Sequence, residues 1–127
     1  GVVGGPGDRR DEDLIGLGQL AATFFDHIIV KEDDDERGRP AGNAAGLIVQ
    51  GIAQADESTA SHVVQLDETT AIECALEQAP EDALVVIFPE QVNRAIELIQ
   101  ARNPVSEAAA AAVSDSSTLE PMAVGGQ

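Results

Sequence analysis

Apolar positions along the chain follow two alternating rhythms. Residues 1–5, 26–30, 60–66 and 83–88 hold short apolar or β-branched runs that read as strands. Ile28-Ile29-Val30 and Ala83-Leu84-Val85-Val86-Ile87-Phe88 are uninterrupted, as in strands buried on both faces of a parallel sheet. Between the strands the spacing is helical. Leu14, Leu17, Ala21 and Phe24 make one face, Ala44, Leu47, Ile48 and Ile52 a second, and Val92, Ala95, Ile96 and Ile99 a third. A further helix runs from about residue 67 to 78.

Local signals refine the ends. Asp8 or Asp11 is placed to cap the first helix, and Asp11, Glu12 and Asp13 suit the dipole of its first turn. Thr70 and Glu73 have capping-box spacing. Pro89 suits the first position of the last helix, and Glu90 and Arg94 are spaced to pair across one turn. The resulting order, β-α-β-α-β-α-β-α, predicts a three-layer α/β architecture with a mostly parallel sheet of about four strands. Residues 1–104 read as one domain, and the Ala-, Ser- and Gly-rich residues 105–127 as a disordered tail.

Composition narrows this picture. The chain has 127 residues, three Phe and neither Trp nor Tyr, so Ile, Leu, Val and Ala must supply the core. Its net charge of −16 argues against nucleic acid or an anionic membrane as a partner, because both select clustered positive charge. No apolar run is long enough to span a bilayer. The single cysteine, Cys74, sits in a helical stretch without a histidine beside it, reads as a small packed residue, and fits a cytoplasmic location. The chain begins inside an apparent strand, which predicts a fragment of something longer.

Basic residues are scarce, and four of the seven form two clusters: Arg9 with Arg10, and Arg37 with Arg39. Each cluster follows a strand, so a parallel sheet brings both to its C-terminal edge, where α/β folds bind ligands. There an arginine pair suits a carboxylate or phosphate through its planar fork of donors, although a self-neutralising surface network reads equally well. The five consecutive acids Glu32 to Glu36 suit a cationic ligand or a solvated loop. Glu90 follows the last strand on the same edge. The turn Gly4-Gly5-Pro6-Gly7 lacks the lysine and hydroxyl of a phosphate loop. His27 and His62 read as packed or edge histidines, and no metal-ligand spacing or nucleophilic triad is visible.

The motifs Gly7-Asp8-Arg9-Arg10-Asp11-Glu12-Asp13, Val30-Lys31-Glu32-Asp33, Arg37-Gly38-Arg39, Asp67-Glu68 and Leu84-Val85-Val86-Ile87-Phe88-Pro89-Glu90 resemble the C-terminal domain of Mur-type ligases, most closely its cyanophycin synthetase branch. That resemblance implies a Rossmann-like fold lacking its usual first strand. It implies the substrate-binding lobe of an ATP-dependent amide ligase that adds arginine to the aspartate side chains of a poly-aspartate backbone. ATP and Mg2+ would serve the full-length enzyme, with none bound by this fragment alone, which would be inactive. The implied partners are upstream ATPase and ATP-grasp domains, the arginine and polymer substrates, and further copies of the full-length chain. Arg9, Arg10, Glu32, Asp33, Arg37, Arg39 and Glu90 become the expected substrate-binding residues, with no catalytic or metal-binding residue among them. Another Mur-type ligase, or a stand-alone receiver-like α/β module, is the alternative; a receiver needs acids after its first strand and a lysine after its last, whereas the one lysine here is Lys31.

Overall fold

The computed structural model describes residues 1–102; the expected tail at 105–127 lies outside the described residues. The elements are β1 (Val2–Val3), α1 (Asp11–Phe24), β2 (His27–Val30), α2 (Asn43–Gln54), β3 (Ser61–Val64), α3 (Glu68–Gln78) and α4 (Val92–Arg102). The sheet is parallel with order β1-β2-β3, Ile29 lying opposite both Val2 and Val63.

Strand alternation divides the core into two halves. Val3, Ile28 and Val30 point to one face and pack with Leu14, Ala21 and Ala22 of α1 and Ala44, Ala45, Ile48 and Ile52 of α2. Val2 and Ile29 point to the other and pack with Ala71, Ile72 and Ala75 of α3 and Ala95 of α4. The three layers expected from the alternation of elements are therefore present. In the first layer α1 and α2 touch at glycines. A methyl on Gly18 would sit 1.9 Å from the carbonyl oxygen of Ile48, and one on Gly51 would sit 1.9 Å from that of Ile15.

The expected fourth strand is reduced to one parallel bridge, Val2 with Ile87. Val2 N–H donates to Val86 O at 2.8 Å, and Phe88 N–H donates to Val2 O at 3.0 Å. β1 offers only two residues to pair with, so the rest of the 83–88 run stays out of the ladder and Leu84 is 85% exposed. This segment nevertheless lies on the side of β1 away from β2. The chain thus reverses direction across the sheet between β1 and residues 83–88, which is the switch point where α/β sheets open a crevice.

Four helix details depart from the sequence pattern. The buried stripe of α1 runs through Leu14, Gly18, Ala21 and Ala22, and Phe24 is 75% exposed. The small residues win that face because the helix partner approaches too closely for large ones. In α4 only Ala95 is buried, while Val92 and Ile96 are exposed. Neither Asp8 nor Asp11 caps α1; its N-cap is Arg10, with no side-chain hydrogen bond. For α3 the cap is Asp67, whose carboxylate accepts from Thr70 N–H at 2.9 Å, in place of the Thr70–Glu73 box.

Candidate functional site

Parallel strands deliver four connections to one edge: residues 4–10 after β1, 31–42 after β2, 65–67 after β3 and 89–91 after the bridged segment. Lys31 extends the alternation of β2 by one residue, onto the face that carries Ile29 and α3. Its N–H donates to Val3 O at 2.9 Å. Its Nζ then lies 2.8 Å from Glu68 Oε1 and 3.4 Å from Asp33 Oδ1. The Lys31 side chain is 1% exposed and that of Glu68 is 0% exposed.

Glu68 opens α3 and faces inward. Besides Lys31 it accepts from Glu90 N–H at 2.6 Å, Gln91 N–H at 3.1 Å and Arg94 Nη2 at 3.2 Å. Burial pushes its pKa up, but the donors from Glu90, Lys31 and Gln91 outweigh burial and hold the carboxyl at about 2. These bonds also explain why α4 starts at Val92 and not at Pro89. The amide groups of Glu90 and Gln91 are turned onto the Glu68 carboxylate ahead of the helix, where an anion suits the helix dipole. The expected Glu90–Arg94 pair does not form. Arg94 instead bridges Glu68 and Asp34 Oδ2, the latter at 3.6 Å, and Glu90 Oε1 accepts from Asp34 N–H at 2.9 Å.

The acids of the loop after β2 therefore have different surroundings. Asp33 and Asp34 lie beside the Lys31 and Arg94 cations, next to Glu90, and make an acidic lip at the C-terminal edge of the sheet. Glu32 is buried, and both of its oxygens are used at the start of α2, accepting from Gly42 N–H and Ala45 N–H at 2.9 Å each. Glu36 has both oxygens enclosed and without a hydrogen-bond partner among the described residues. Burial, then the Glu32 and Asp33 carboxylates, push its pKa up.

The arginine clusters divide in the same way. Arg39 donates to Gly7 O, Arg9 O, Asp11 and Asn43, joining the loops after β1 and β2. Arg37 has φ 53° and pairs with Asp8 at 3.0 Å. Arg10 is 72% exposed and pairs with Glu12 and Asp13 of its own helix, the surface network weighed above. Arg9 is exposed on the same loop. Asp33 and Glu90 thus come together with Asp34, whereas Glu32 is turned away to cap α2, and Arg37 and Arg39 join the loops after β1 and β2. Lys31, Glu68 and Arg94 were not singled out from sequence. The available signal was strand alternation carried one residue past Val30, which puts the only lysine against the start of α3.

A cavity of about 700 Å3 lies at the opposite, N-terminal end of the strands, between Phe25, His27, Ala79 and Leu84. It is mostly apolar and remote from the acids. The acidic lip is favoured here because it combines converging backbone donors, buried ion pairs and the carboxylates of Asp33, Asp34 and Glu90.

No protein-family model matches the chain. A cyanophycin synthetase of Synechocystis sp. is 63% identical over 105 residues, which is 83% of this chain and 12% of that protein. The chain is homologous to a segment of cyanophycin synthetase. A cyanophycin synthetase of Trichormus variabilis agrees, at 60% identity over 107 residues, 84% of this chain and again 12% of the relative. A UDP-N-acetylmuramyl-tripeptide synthetase of Latilactobacillus sakei is 31% identical over 86 residues, 68% of this chain and 16% of its own length. That likeness fits a Mur-like C-terminal domain.

These relatives are ligases. Among the described residues, no cluster of three or more His, Cys, Asp or Glu is placed to hold a metal. At Gly7 the turn after β1 packs directly on the loop after β2, a methyl there falling 1.9 Å from Glu36 O. No described helix of this cyanophycin synthetase homologue is long and apolar enough to cross a membrane.

Proposed function

We propose that the chain is the substrate-binding lobe of a cyanophycin synthetase, in which it helps select the arginine joined to aspartate side chains of a poly-aspartate backbone. The observation that carries this reading is the homology at 63% identity, which covers 83% of the chain. The acidic lip supports it chemically. Arginine brings a guanidinium, and carboxylates such as Asp33, Asp34 and Glu90 can receive its planar donors. Arg9 is exposed on the loop after β1, available for a substrate carboxylate.

In this reading the chemical step belongs to ATPase and ATP-grasp domains elsewhere in the full-length enzyme, which hold ATP and Mg2+. This segment alone is inactive, and the full-length protein assembles from several copies in the cytoplasm. The test is an ATP-dependent incorporation assay of the full-length enzyme, offering each amino acid in turn to a poly-aspartate primer. Arginine is the expected substrate, and the isolated 127 residues should incorporate none. The rival reading is a Mur-type ligase for a different amino acid, and it prevails if another amino acid is joined and arginine is not.

A further inference from the structure

We propose that Glu68 is a positioning residue, a buried carboxylate that touches no substrate but sets the placement of the lip acids Asp33, Asp34 and Glu90. The inference rests on the binding role proposed above. Glu90 touches Glu68 directly, and Asp33 and Asp34 are each linked to it through one cation. The Glu90 amide donates to it directly at 2.6 Å. Lys31 bridges it to Asp33, with distances of 2.8 Å and 3.4 Å. Arg94 bridges it to Asp34, with distances of 3.2 Å and 3.6 Å.

Electrostatics shows why such an anchor is needed. Three carboxylates held at one edge repel one another, and a chain of net charge −16 adds to that repulsion. Lys31 and Arg94 are the cations that hold the lip together, and Glu68 is the group both of them share. With Glu68 counted, four carboxylates face two cations, which leaves the cluster anionic and suited to a ligand bearing a guanidinium or ammonium group. Glu68 itself is sealed from solvent, so its effect on that ligand must pass through the residues it fixes.

A glutamine at this position keeps the size but carries one acceptor oxygen and an NH2 group. Four donors then compete for fewer lone pairs, and the NH2 faces N–H groups. The turn at residues 89–91 should loosen and the lip acids should drift. A displacement of about 1 Å at a positioning group is enough for a large loss of binding.

The experiment is steady-state kinetics of Glu68→Gln, Glu68→Asp and Arg94→Met in the full-length enzyme, with hydrogen exchange of the peptide spanning residues 88–94. Glu68→Gln should raise the arginine KM about tenfold or more while kcat and the ATP KM stay within about twofold. Glu68→Asp should recover part of that loss, and exchange at residues 90 and 91 should quicken in Glu68→Gln. If Glu68→Gln fails to fold, Arg94→Met, altered at a half-exposed site, should still raise the arginine KM by about threefold. The inference is overturned if the folded variants keep a wild-type arginine KM while Glu90→Ala raises it. If Glu90→Ala and Asp33→Ala also leave it unchanged, the binding role itself is wrong.

Discussion

Lys31 Nζ lies 2.8 Å from Glu68 Oε1, and both side chains are sealed from solvent. Neither charge would be tolerated there alone, and the pair persists because Glu90, Gln91 and Arg94 complete the coordination of the carboxylate. The pair ties β2 to α3 at the edge where the acids gather.

Acid should undo this arrangement before it undoes the apolar core. The folded pKa of Glu68, about 2, lies below its ordinary value of 4.5. Its stabilisation is therefore full above pH 4.5 and is lost as pH falls from there towards 2, with a ceiling of about 3 kcal/mol. Urea midpoints measured across that window should fall with pH in the wild type. In Glu68→Gln the same stretch of the profile should be flatter and lower at neutral pH.

Glu36 should behave with the opposite sign. Its carboxyl is enclosed without a partner, and its pKa is pushed up. An acid whose folded pKa is raised destabilises the fold once pH climbs through the ordinary carboxyl range, and the penalty levels off above the folded pKa. Glu36→Gln removes the buried charge and should raise the thermal midpoint at neutral pH. That gain should vanish below about pH 4, as thermal melts at the two pH values would show.

Arg39 and Arg10, which pair with Asp11 and Asp13 in the first turn of α1, should differ. Arg39 is largely buried and donates to two carbonyls and two side chains across the loops after β1 and β2. Arg39→Ala should cost roughly 2 kcal/mol, whereas Arg10→Ala, at a solvated pair, should leave the urea midpoint unchanged.

Glycines divide by what lies beside them. Gly18→Ala and Gly51→Ala each drive a methyl into the partner helix's backbone, and each should destabilise by roughly 2–3 kcal/mol. Gly16→Ala and Gly46→Ala meet no atom within 4 Å and should stabilise their helices by up to about 1 kcal/mol. Circular-dichroism melts of the four variants separate the two classes.

Much of the fold was legible because hydrophobic period and strand alternation both depend on neighbours in sequence. The predicted span of α1 ends within a residue or so of Phe24, and β2 and β3 fall where their β-branched residues stand. Pairing is not local, and that is where the reading of residues 83–88 went too far. Six apolar residues satisfy a strand pattern, but the two-residue β1 can pair with only one of them. The site was legible as an edge but not as a network. Glu32, Asp33 and Glu90 were visible as acids after strands. Whether an acid caps a distant helix, as Glu32 does for α2, depends on a loop's path that no spacing encodes. Lys31 looked like the start of a solvated loop because its burial depends on Glu68, 37 positions further along the chain.

The central claim is that the acidic lip of Asp33, Asp34 and Glu90 helps hold arginine in a cyanophycin synthetase. The most direct measurement is the KM for arginine of Glu90→Ala in the full-length enzyme, with the KM for ATP taken alongside. A rise of about tenfold or more for arginine, with ATP within about twofold, is the expected result. An unchanged arginine KM in a folded enzyme, for Glu90→Ala and for Asp33→Ala alike, would contradict the claim.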